Sequence, residues 1–207
     1  MNELFMKLSK GVGLTGDVKA DAYHFIARNG YPKIAEHSQR VAQLAKAMAA
    51  RFSLDEEEAE IAGWLHDVSV VFPNDSRISV AESLGIQVLP EERKFPLIIH
   101  QKISKVMAEQ IFHVNNEAIL SAIECHTTLK EQASPMDMNL FVADKIEWDQ
   151  SGQPPYLNEI KEAATKSLEG AAFVYIDYMW RRRDRLKVVH PWLEAAYWQL
   201  KGIEGRE

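Results

Sequence analysis

Hydrophobic residues recur along most of the chain at intervals of three and four positions, the period of an amphipathic α-helix. No run of alternating β-branched residues competes with this pattern, so the sequence offers no convincing strand. Turn signals such as Asn29-Gly30 and Pro154-Pro155 divide the chain into separate helices. The pattern therefore predicts an all-α protein that folds as a bundle of helices.

Cap residues and prolines set the ends of the predicted helices. Pro32 suits the first position of one helix, Asp55 with Glu58 resembles a capping box, and Asn115 or Asn116 caps another. The predicted helices cover about 18–28, 32–51, 55–66, 76–85, 99–111, 116–126, 137–146, 156–183 and 190–201. Residues 87–96 are predicted to form a loop or a broken turn. We expect one domain over 1–207, with a core at 31–150 and C-terminal helices at 156–201 packed on it.

Polar side chains interrupt the apolar faces of several predicted helices. His66-Asp67 ends an apolar run typical of a buried helix, and an isolated pair of this kind would be a core histidine beside a capping aspartate. Further polar residues fall on buried stripes in the same way, which gives the set His37, His66, Asp67, His100, His126 and Asp144. Each buried polar side chain costs about 1–3 kcal/mol without a partner. A shared cation explains their burial most simply.

Imidazoles and carboxylates without a thiolate narrow the choice of cation. This ligand set suits iron, manganese, cobalt, nickel or zinc, as one ion or two. Ligands drawn from several helices of a bundle are an established way to build such a site. Four protein ligands on a six-coordinate metal leave positions for water and substrate, and the metal lowers the pKa of bound water toward ~7. The pattern therefore predicts a hydrolytic centre.

Charge and composition exclude several other classes of function. A formal net charge of −6 gives no long-range attraction to nucleic acid or to an anionic membrane. The basic run Arg181-Arg182-Arg183 is most simply a solvated helix end. The single cysteine, Cys125, permits no internal disulfide, and the first residues lack a signal-peptide pattern. We expect a cytoplasmic protein without a nucleic-acid or membrane partner.

The order of the six polar residues resembles the signature of the HD-domain metal-dependent phosphohydrolases. The adjoining residues match as well, in the stretches Glu36-His37-Ser38, Leu65-His66-Asp67, His126-Thr127-Thr128 and Ala143-Asp144-Lys145. Within that superfamily the chain is similar to the YqeK-like subgroup, in residues 125–128 and in the tail at 186–191. The resemblance implies an HD-domain-like helical bundle. It also implies symmetrical hydrolysis of diadenosine tetraphosphate to two ADP, with iron or a similar divalent metal.

The resemblance also implies roles for individual residues. It assigns four metal ligands, which are His37, His66, Asp67 and Asp144. His100 and His126 would face the phosphates or complete a second metal site. Asp67 would also orient or deprotonate the attacking water, and Lys145 would contact a phosphate unless it is a solvated surface lysine.

Two departures from the subgroup leave the exact substrate open. A lysine expected soon after the HD pair is missing, because Val68-Ser69-Val70-Val71 stand there. The arginine expected after the last aspartate is also absent before Pro154-Pro155. Val70 and Val71 replace the Glu-Asp pair of guanosine-tetraphosphate hydrolases, which argues against that substrate. The alternatives are a nucleotidase-type phosphomonoesterase, a nucleotide sensor with little turnover and a purely structural helical module.

Other residues allow two interpretations each. Five aromatic residues could form a base-stacking platform or pack in a core or dimer interface: Trp148, Tyr156, Trp180, Trp192 and Trp198. A homodimer through the C-terminal helices would use some of them. Asp149 could bind a substrate hydroxyl or cap a helix end, whereas His24 and His113 are predicted to lie on the surface.

Overall fold

The computed structural model describes residues 3–148 and 152–204, and within these ranges it contains helices and no strand. The α-helices are α1 (Glu3–Ser9), α2 (Val18–Arg28), α3 (Pro32–Arg51), α4 (Glu56–Leu65), α5 (Arg77–Ser83), α6 (Pro90–Lys94), α7 (His100–Gln110), α8 (Glu117–Cys125), α9 (Pro135–Ile146), α10 (Leu157–Ala163), α11 (Leu168–Trp180) and α12 (Pro191–Glu204). Two 3₁₀ turns lie at Val68–Val71 and Arg183–Arg185. The predicted all-α class is confirmed.

Side-chain caps begin several helices, and the caps of α4 and α8 are those that the sequence predicts, whereas α9 starts at Pro135 and not at the predicted residue 137. Asp17 accepts hydrogen bonds from the first backbone N–H groups of α2, Asp55 does so for α4 and Asn116 for α8. Ser134 and Asp137 form a reciprocal capping box at the start of α9. Each cap satisfies donors that the first helical turn cannot pair, so it fixes the residue at which the helix starts.

Two further predictions about helix boundaries are wrong. The single helix expected over 156–183 is divided into α10 and α11, because the Ser167 hydroxyl accepts a hydrogen bond from Gly170 N at 3.0 Å and starts a new helix. The loop expected at 87–96 contains α6, where Glu92 accepts from Leu89 N at 2.7 Å. Helix α1 was not predicted.

A close contact between α3 and α4 lies at the centre of the bundle. Gly63 of α4 packs directly on Ala42 of α3, and a Cβ at Gly63 would lie only 2.7 Å from the backbone nitrogen of Ala42. Such an approach requires glycine. It brings His37 and His66 together, with ring centroids 5.3 Å apart.

The remaining helices surround this pair. Helices α8 and α9 pack against α4, α9 also packs against α3, and α7 packs against α8 and the first 3₁₀ turn. Helix α11 lies on α9 and α10, and α12 lies on α11. In the described part of the chain, no helix has both the length and the apolar character needed to cross a bilayer.

Candidate metal centre

The six polar residues predicted to form the site, of which four are the predicted metal ligands, converge from separate elements, most of them at helix ends. His37 lies within α3 and Asp144 within α9, while His100 is the first residue of α7. His66 and His126 follow directly after the last residues of α4 and α8, and Asp67 precedes the 3₁₀ turn. His66 and His126 are the C-cap residues of α4 and α8, as the predicted helix ends at 66 and 126 imply, and Asp67 lies just outside α4.

The first group of ligand atoms surrounds the Asp144 carboxylate. His37 Nε2 lies 3.2 Å from Asp144 Oδ1, and His66 Nε2 lies 3.6 Å from the same oxygen. His66 Nε2 also lies 3.5 Å from Asp67 Oδ2. Two atoms that bind one ion at about 2.1 Å each stand about 3 Å apart or slightly more. His37, His66 and Asp67 offer ligand atoms within 4.8 Å of one another, and so do His66, His126 and Asp144, so each of these triplets could hold a divalent cation.

Backbone carbonyls orient three of the imidazole rings. The Nδ1 atoms donate to the carbonyl three residues earlier: His66 to Gly63 (2.7 Å), His100 to Leu97 (2.6 Å) and His126 to Ile123 (2.8 Å). This bond leaves Nε2 free to bind an ion or a substrate atom. His66 Nε2 is buried and has no hydrogen-bond partner among the described residues, which is costly unless a cation fills the position.

A second group of ligand atoms uses the other oxygen of Asp67. Asp67 Oδ1 lies 3.1 Å from His100 Nε2 and 3.6 Å from His126 Nε2. The two Nε2 atoms are 2.9 Å apart. Because both rings already donate from Nδ1, this contact requires a shared proton or a shared cation. Asp67 thus faces both groups: it would help to hold one ion with His37 and His66, and a second ion, if one binds, with His100 and His126.

Burial and charge shift the pKa values of these groups in opposite directions. Burial alone would lower the pKa of His66, but Asp67 and Asp144 outweigh it and raise that pKa to about 9. Burial, assisted by His100 and His66, lowers the pKa of His126 to about 4 despite Asp67. The two carboxylates stay ionised and attract positive charge into the pocket.

Neighbouring positive charges and hydrogen bonds lower the pKa values of both carboxylates. Burial would raise each pKa, but the surrounding histidines hold the pKa of Asp67 well below its usual value. For Asp144, Lys145 together with His37 and His66 overcomes the effect of burial and lowers the pKa in the same way. A buried pair of carboxylates needs such compensation, which a bound cation would increase.

Lys145 is buried beside the metal ligands. Its ammonium donates to the His126 carbonyl at 3.0 Å and to Asp144 Oδ2 at 2.5 Å. The ammonium also lies 5.4 Å from the centroid of the Tyr175 ring. The side chain is only 8% exposed, so the interpretation as a solvated surface lysine is wrong.

An open cavity of about 360 Å³ exposes the site to solvent. Five of the six ligand residues line it, whereas His66 is completely buried behind them. Its volume lies within the range of roughly 300–1,000 Å³ that is usual for small-molecule sites. Lys145 and Thr127 complete the inner wall, and the Thr127 hydroxyl lies 3.2 Å from His100 Nε2.

Arg77 was not singled out in the sequence, yet it lines the same cavity. It is the first residue of α5, and its guanidinium donates to the carbonyls of Phe72 (3.2 Å) and Leu97 (3.4 Å). Burial lowers the pKa of Arg77, whereas the charge of Asp67 acts to raise it. The guanidinium therefore interacts electrostatically with Asp67. Its position ten residues after Asp67 gives no signal in the sequence, because no periodicity links α5 to the site.

The aromatic residues are distributed over several places. Trp148 lines the catalytic cavity, and Tyr156 lines a neighbouring cavity. Trp180 and Trp198 pack together around Tyr197 near the C-terminal helix, and Trp192 lies against Lys102. His24 and His113 are exposed, as predicted. Asp149 lies outside the described residues.

The fold and the site together define a class of protein. An all-helical bundle that gathers buried histidine and aspartate side chains at one open cavity is the architecture of a metal-dependent hydrolase. The sequence model of the HD domain matches residues 34–149, which is more than half of the chain. The chain belongs to the HD domain family, and this membership together with relatives named as tetraphosphatases makes it a phosphohydrolase.

Three known proteins illustrate the similarity. The "Uncharacterized protein in pepC 5'region" of Lactococcus lactis subsp. cremoris is 48% identical over 143 residues, which cover 69% of this chain and 72% of that one. The "Bis(5'-nucleosyl)-tetraphosphatase, symmetrical" of Staphylococcus aureus is 30% identical over 113 residues, covering 54% and 57%. A Clostridium acetobutylicum crystal structure titled "predicted HD superfamily hydrolase involved in NAD metabolism" superposes with a TM-score of 0.82 at 24% identity, over 92% of this chain and 98% of that one.

Proposed function

We propose that this protein hydrolyses diadenosine tetraphosphate symmetrically, producing two molecules of ADP. The observation that carries the proposal is the Asp67 carboxylate, whose two oxygens face two groups of histidines at the floor of an open cavity. The name of the Staphylococcus aureus relative supports the choice of substrate.

The metal ligands are His37, His66, Asp67 and Asp144, with His100 and His126 available to a second ion. When bound, a divalent transition ion polarises the phosphoryl group and lowers the pKa of a water molecule. Iron is our first choice, and manganese, cobalt, nickel and zinc suit the same ligands.

The protein's own residues position water and phosphate. The low pKa of Asp67 keeps its carboxylate ionised at neutral pH, so Asp67 can orient the attacking water. Asp67 takes up the proton only as the bond to phosphorus forms, because the water becomes strongly acidic at that point. The water oxygen forms a bond to one of the two central phosphorus atoms, and the bond breaks from that atom to the oxygen that joins the two central phosphorus atoms. ADP leaves as an anion at neutral pH, and no separate acid is needed to protonate it.

Four side chains in the cavity can neutralise the charge that develops on the phosphates. His100 and His126 share a proton or a cation between their Nε2 atoms, and this positive charge faces the cavity. Lys145 lies on the same wall, and Arg77 lines the cavity from α5. Arg77 supplies a cation that is missing at the 68–71 segment, where Val70 lines the cavity instead.

The proposal is tested by identifying the products. Diadenosine tetraphosphate is incubated with the protein loaded in turn with each of the five metals, and nucleotides are separated by ion-exchange chromatography. We expect ADP alone, and we expect Asp67→Asn to lower kcat by at least 10²-fold because the proton acceptor is lost. The exposed Asp75→Asn variant is the matched control and should retain wild-type turnover.

Other products would contradict the proposal. AMP together with ATP would indicate asymmetrical cleavage, and phosphate released from AMP alone would indicate the nucleotidase-type phosphomonoesterase. Tight nucleotide binding without turnover under all five metals would indicate a nucleotide sensor.

A further inference from the structure

A second cavity, of about 280 Å³, adjoins the catalytic cavity. Trp148 and Tyr175 line both of them, so the two spaces meet across these rings. Tyr156, Tyr178 and the Pro154-Pro155 pair form the other walls. We call this space the aromatic pocket, and none of the residues described in its lining is charged.

The rings of the aromatic pocket meet edge to face. Tyr156 lies nearly perpendicular to Tyr175 (centroids 5.0 Å apart, 88° between planes) and to Trp148 (6.4 Å, 85°). Tyr178 contacts Tyr156 at 5.1 Å and 64°. Because the rings are not stacked on one another, they form walls that stand at an angle, against which a further flat ring can pack.

Two hydrogen-bond donors in this group lack partners. The indole N–H of Trp148 and the hydroxyl of Tyr156 are buried and have no hydrogen-bond partner among the described residues. An unpartnered buried donor is unfavourable, so such groups commonly serve a ligand. A ligand that packs on these rings would need acceptor atoms at its edge, as a purine has in its ring nitrogens.

The two cavities differ sharply in charge. The catalytic cavity is lined by Arg77, Lys145 and five of the six site residues, whereas the described lining of the aromatic pocket is uncharged and mostly aromatic. A nucleotide has the same division, with an anionic phosphate chain at one end and a flat, weakly polar base at the other. Lys145 lies at the boundary, with its ammonium 5.4 Å from the Tyr175 centroid.

We propose that the aromatic pocket is the nucleobase subsite and that it binds a purine ring while the attached phosphates occupy the catalytic cavity. This inference rests on the proposed function for the identity of the nucleotide. It makes Tyr178 a specificity-determining residue, since Tyr178 lies in the pocket wall but does not line the catalytic cavity.

The test compares a ligand that has a base with one that has none. ADP and inorganic pyrophosphate are titrated into the wild-type protein and into Tyr178→Leu, and binding is measured by calorimetry. Base–aromatic stacking is worth about 1–3 kcal/mol, so we expect Tyr178→Leu to weaken ADP binding about tenfold or more. Pyrophosphate binding should change less than about twofold, since its contacts lie in the catalytic cavity.

Two further variants keep the result interpretable. Tyr178→Phe retains the ring and should bind ADP as the wild-type protein does, which excludes a role for the hydroxyl. Trp198→Leu removes an exposed aromatic side chain from α12, 54% exposed and outside both cavities, and should leave both affinities unchanged. A folded Tyr178→Leu protein with unchanged ADP affinity would overturn the subsite, and so would wild-type ADP binding no tighter than that of pyrophosphate.

The outcome is separable from that of the proposed function. If diadenosine tetraphosphate is cleaved to ADP but Tyr178→Leu binds ADP normally, the base subsite is wrong and the reaction stands. If ADP binding depends on Tyr178 but the tetraphosphate is not cleaved, the subsite stands and the reaction is wrong.

Discussion

At the scale of single residues, Asp67 joins the two groups of ligand atoms. Oδ2 lies near His66, and Oδ1 lies near His100 and His126. Asp67 sits in the short segment between α4 and the 3₁₀ turn, where the backbone leaves the helix. A carboxylate in that position can face both groups of histidines. A carboxylate in the middle of a helix would face only one of them.

The raised pKa of His66 predicts how pH affects stability without metal. The pKa rises from 6.5 in the unfolded chain to about 9 in the folded protein. Its contribution to stability is therefore fully present below pH 6.5 and is lost as pH rises through 9. We expect the Tm of the chelated protein to fall by several degrees over that window.

Bound metal should reverse this trend. A metal binds the neutral imidazole, so its affinity increases as His66 loses its proton. The Tm difference between manganese-loaded and chelated protein should widen from pH 6.5 to 9, as measured by calorimetry. A His66→Gln variant serves as the control and should lose the dependence in this window. An unchanged dependence in that variant would assign the effect to other groups.

The sequence predicted the six polar residues of the site but not the residues that surround them. Polar side chains on apolar stripes are visible in sequence, and all six converge in the structure. Arg77 and Tyr175 could not be predicted, because they reach the cavity from α5 and α11 through packing that no local pattern encodes. The absence of a lysine at 68–71 was visible in the sequence, but the position of Arg77 in the cavity wall was not.

At the scale of secondary structure elements, the contact between α3 and α4 sets the position of His66. Gly63 touches the Ala42 backbone, and the Gly63 carbonyl accepts a hydrogen bond from His66 Nδ1 at 2.7 Å. One residue thus determines both the helix separation and the orientation of a metal ligand.

Gly63→Ala should destabilise the protein and disturb the site. The new methyl group has no space against Ala42, and overpacking of this kind costs about 1–3 kcal/mol. Urea unfolding measures the loss, and metal affinity should fall with it. Gly202→Ala in α12 is the matched control, because nothing lies within 4 Å of the added Cβ. That change should be neutral or stabilise by about 0.5–1 kcal/mol. Equal effects of the two substitutions would contradict the close contact.

The predicted helix boundaries were right where cap residues and apolar periodicity agreed, and they were wrong where the two signals did not agree. No proline or glycine interrupts residues 164–167, so the sequence suggested one helix where Ser167 starts a second. Helix α6 is five residues long and mostly charged, which is too short for periodicity to reveal.

At the scale of the whole molecule, a buried ionic cluster fastens the C-terminal helix to the catalytic region. Glu92 of α6 contacts Lys102 of α7 at 2.8 Å and His190, directly before α12, at 3.5 Å. All three side chains are buried. Burial would raise the pKa of Glu92, but the contact with His190 and the hydrogen bonds from Leu89 N and Lys102 lower it. Helix α7 begins with the ligand His100, so this cluster also supports the site.

Removing one charge of this cluster should cost more than removing a surface charge. Lys102→Met leaves Glu92 buried without its cation, and breaking such a pair costs about 3–5 kcal/mol. Lys105→Met on the same helix removes a partly exposed pair with Glu124 and should cost less than about 1 kcal/mol. The double variant Lys102→Met with Glu92→Gln should recover part of the loss. Equal destabilisation by the two single variants, measured in urea, would contradict the role of the cluster.

The metal content of the protein tests most directly whether the six side chains of the site hold a cation. Wild-type protein and Asp67→Asn are incubated with manganese, passed through a desalting column and analysed by inductively coupled plasma mass spectrometry, with Asp75→Asn as control. Convergence of the six side chains on a cation predicts one or two equivalents per chain in the wild-type and Asp75→Asn proteins, and a clear loss in Asp67→Asn. A wild-type protein that retains no manganese, iron, cobalt, nickel or zinc, or an Asp67→Asn variant that retains as much as the wild type, would contradict it.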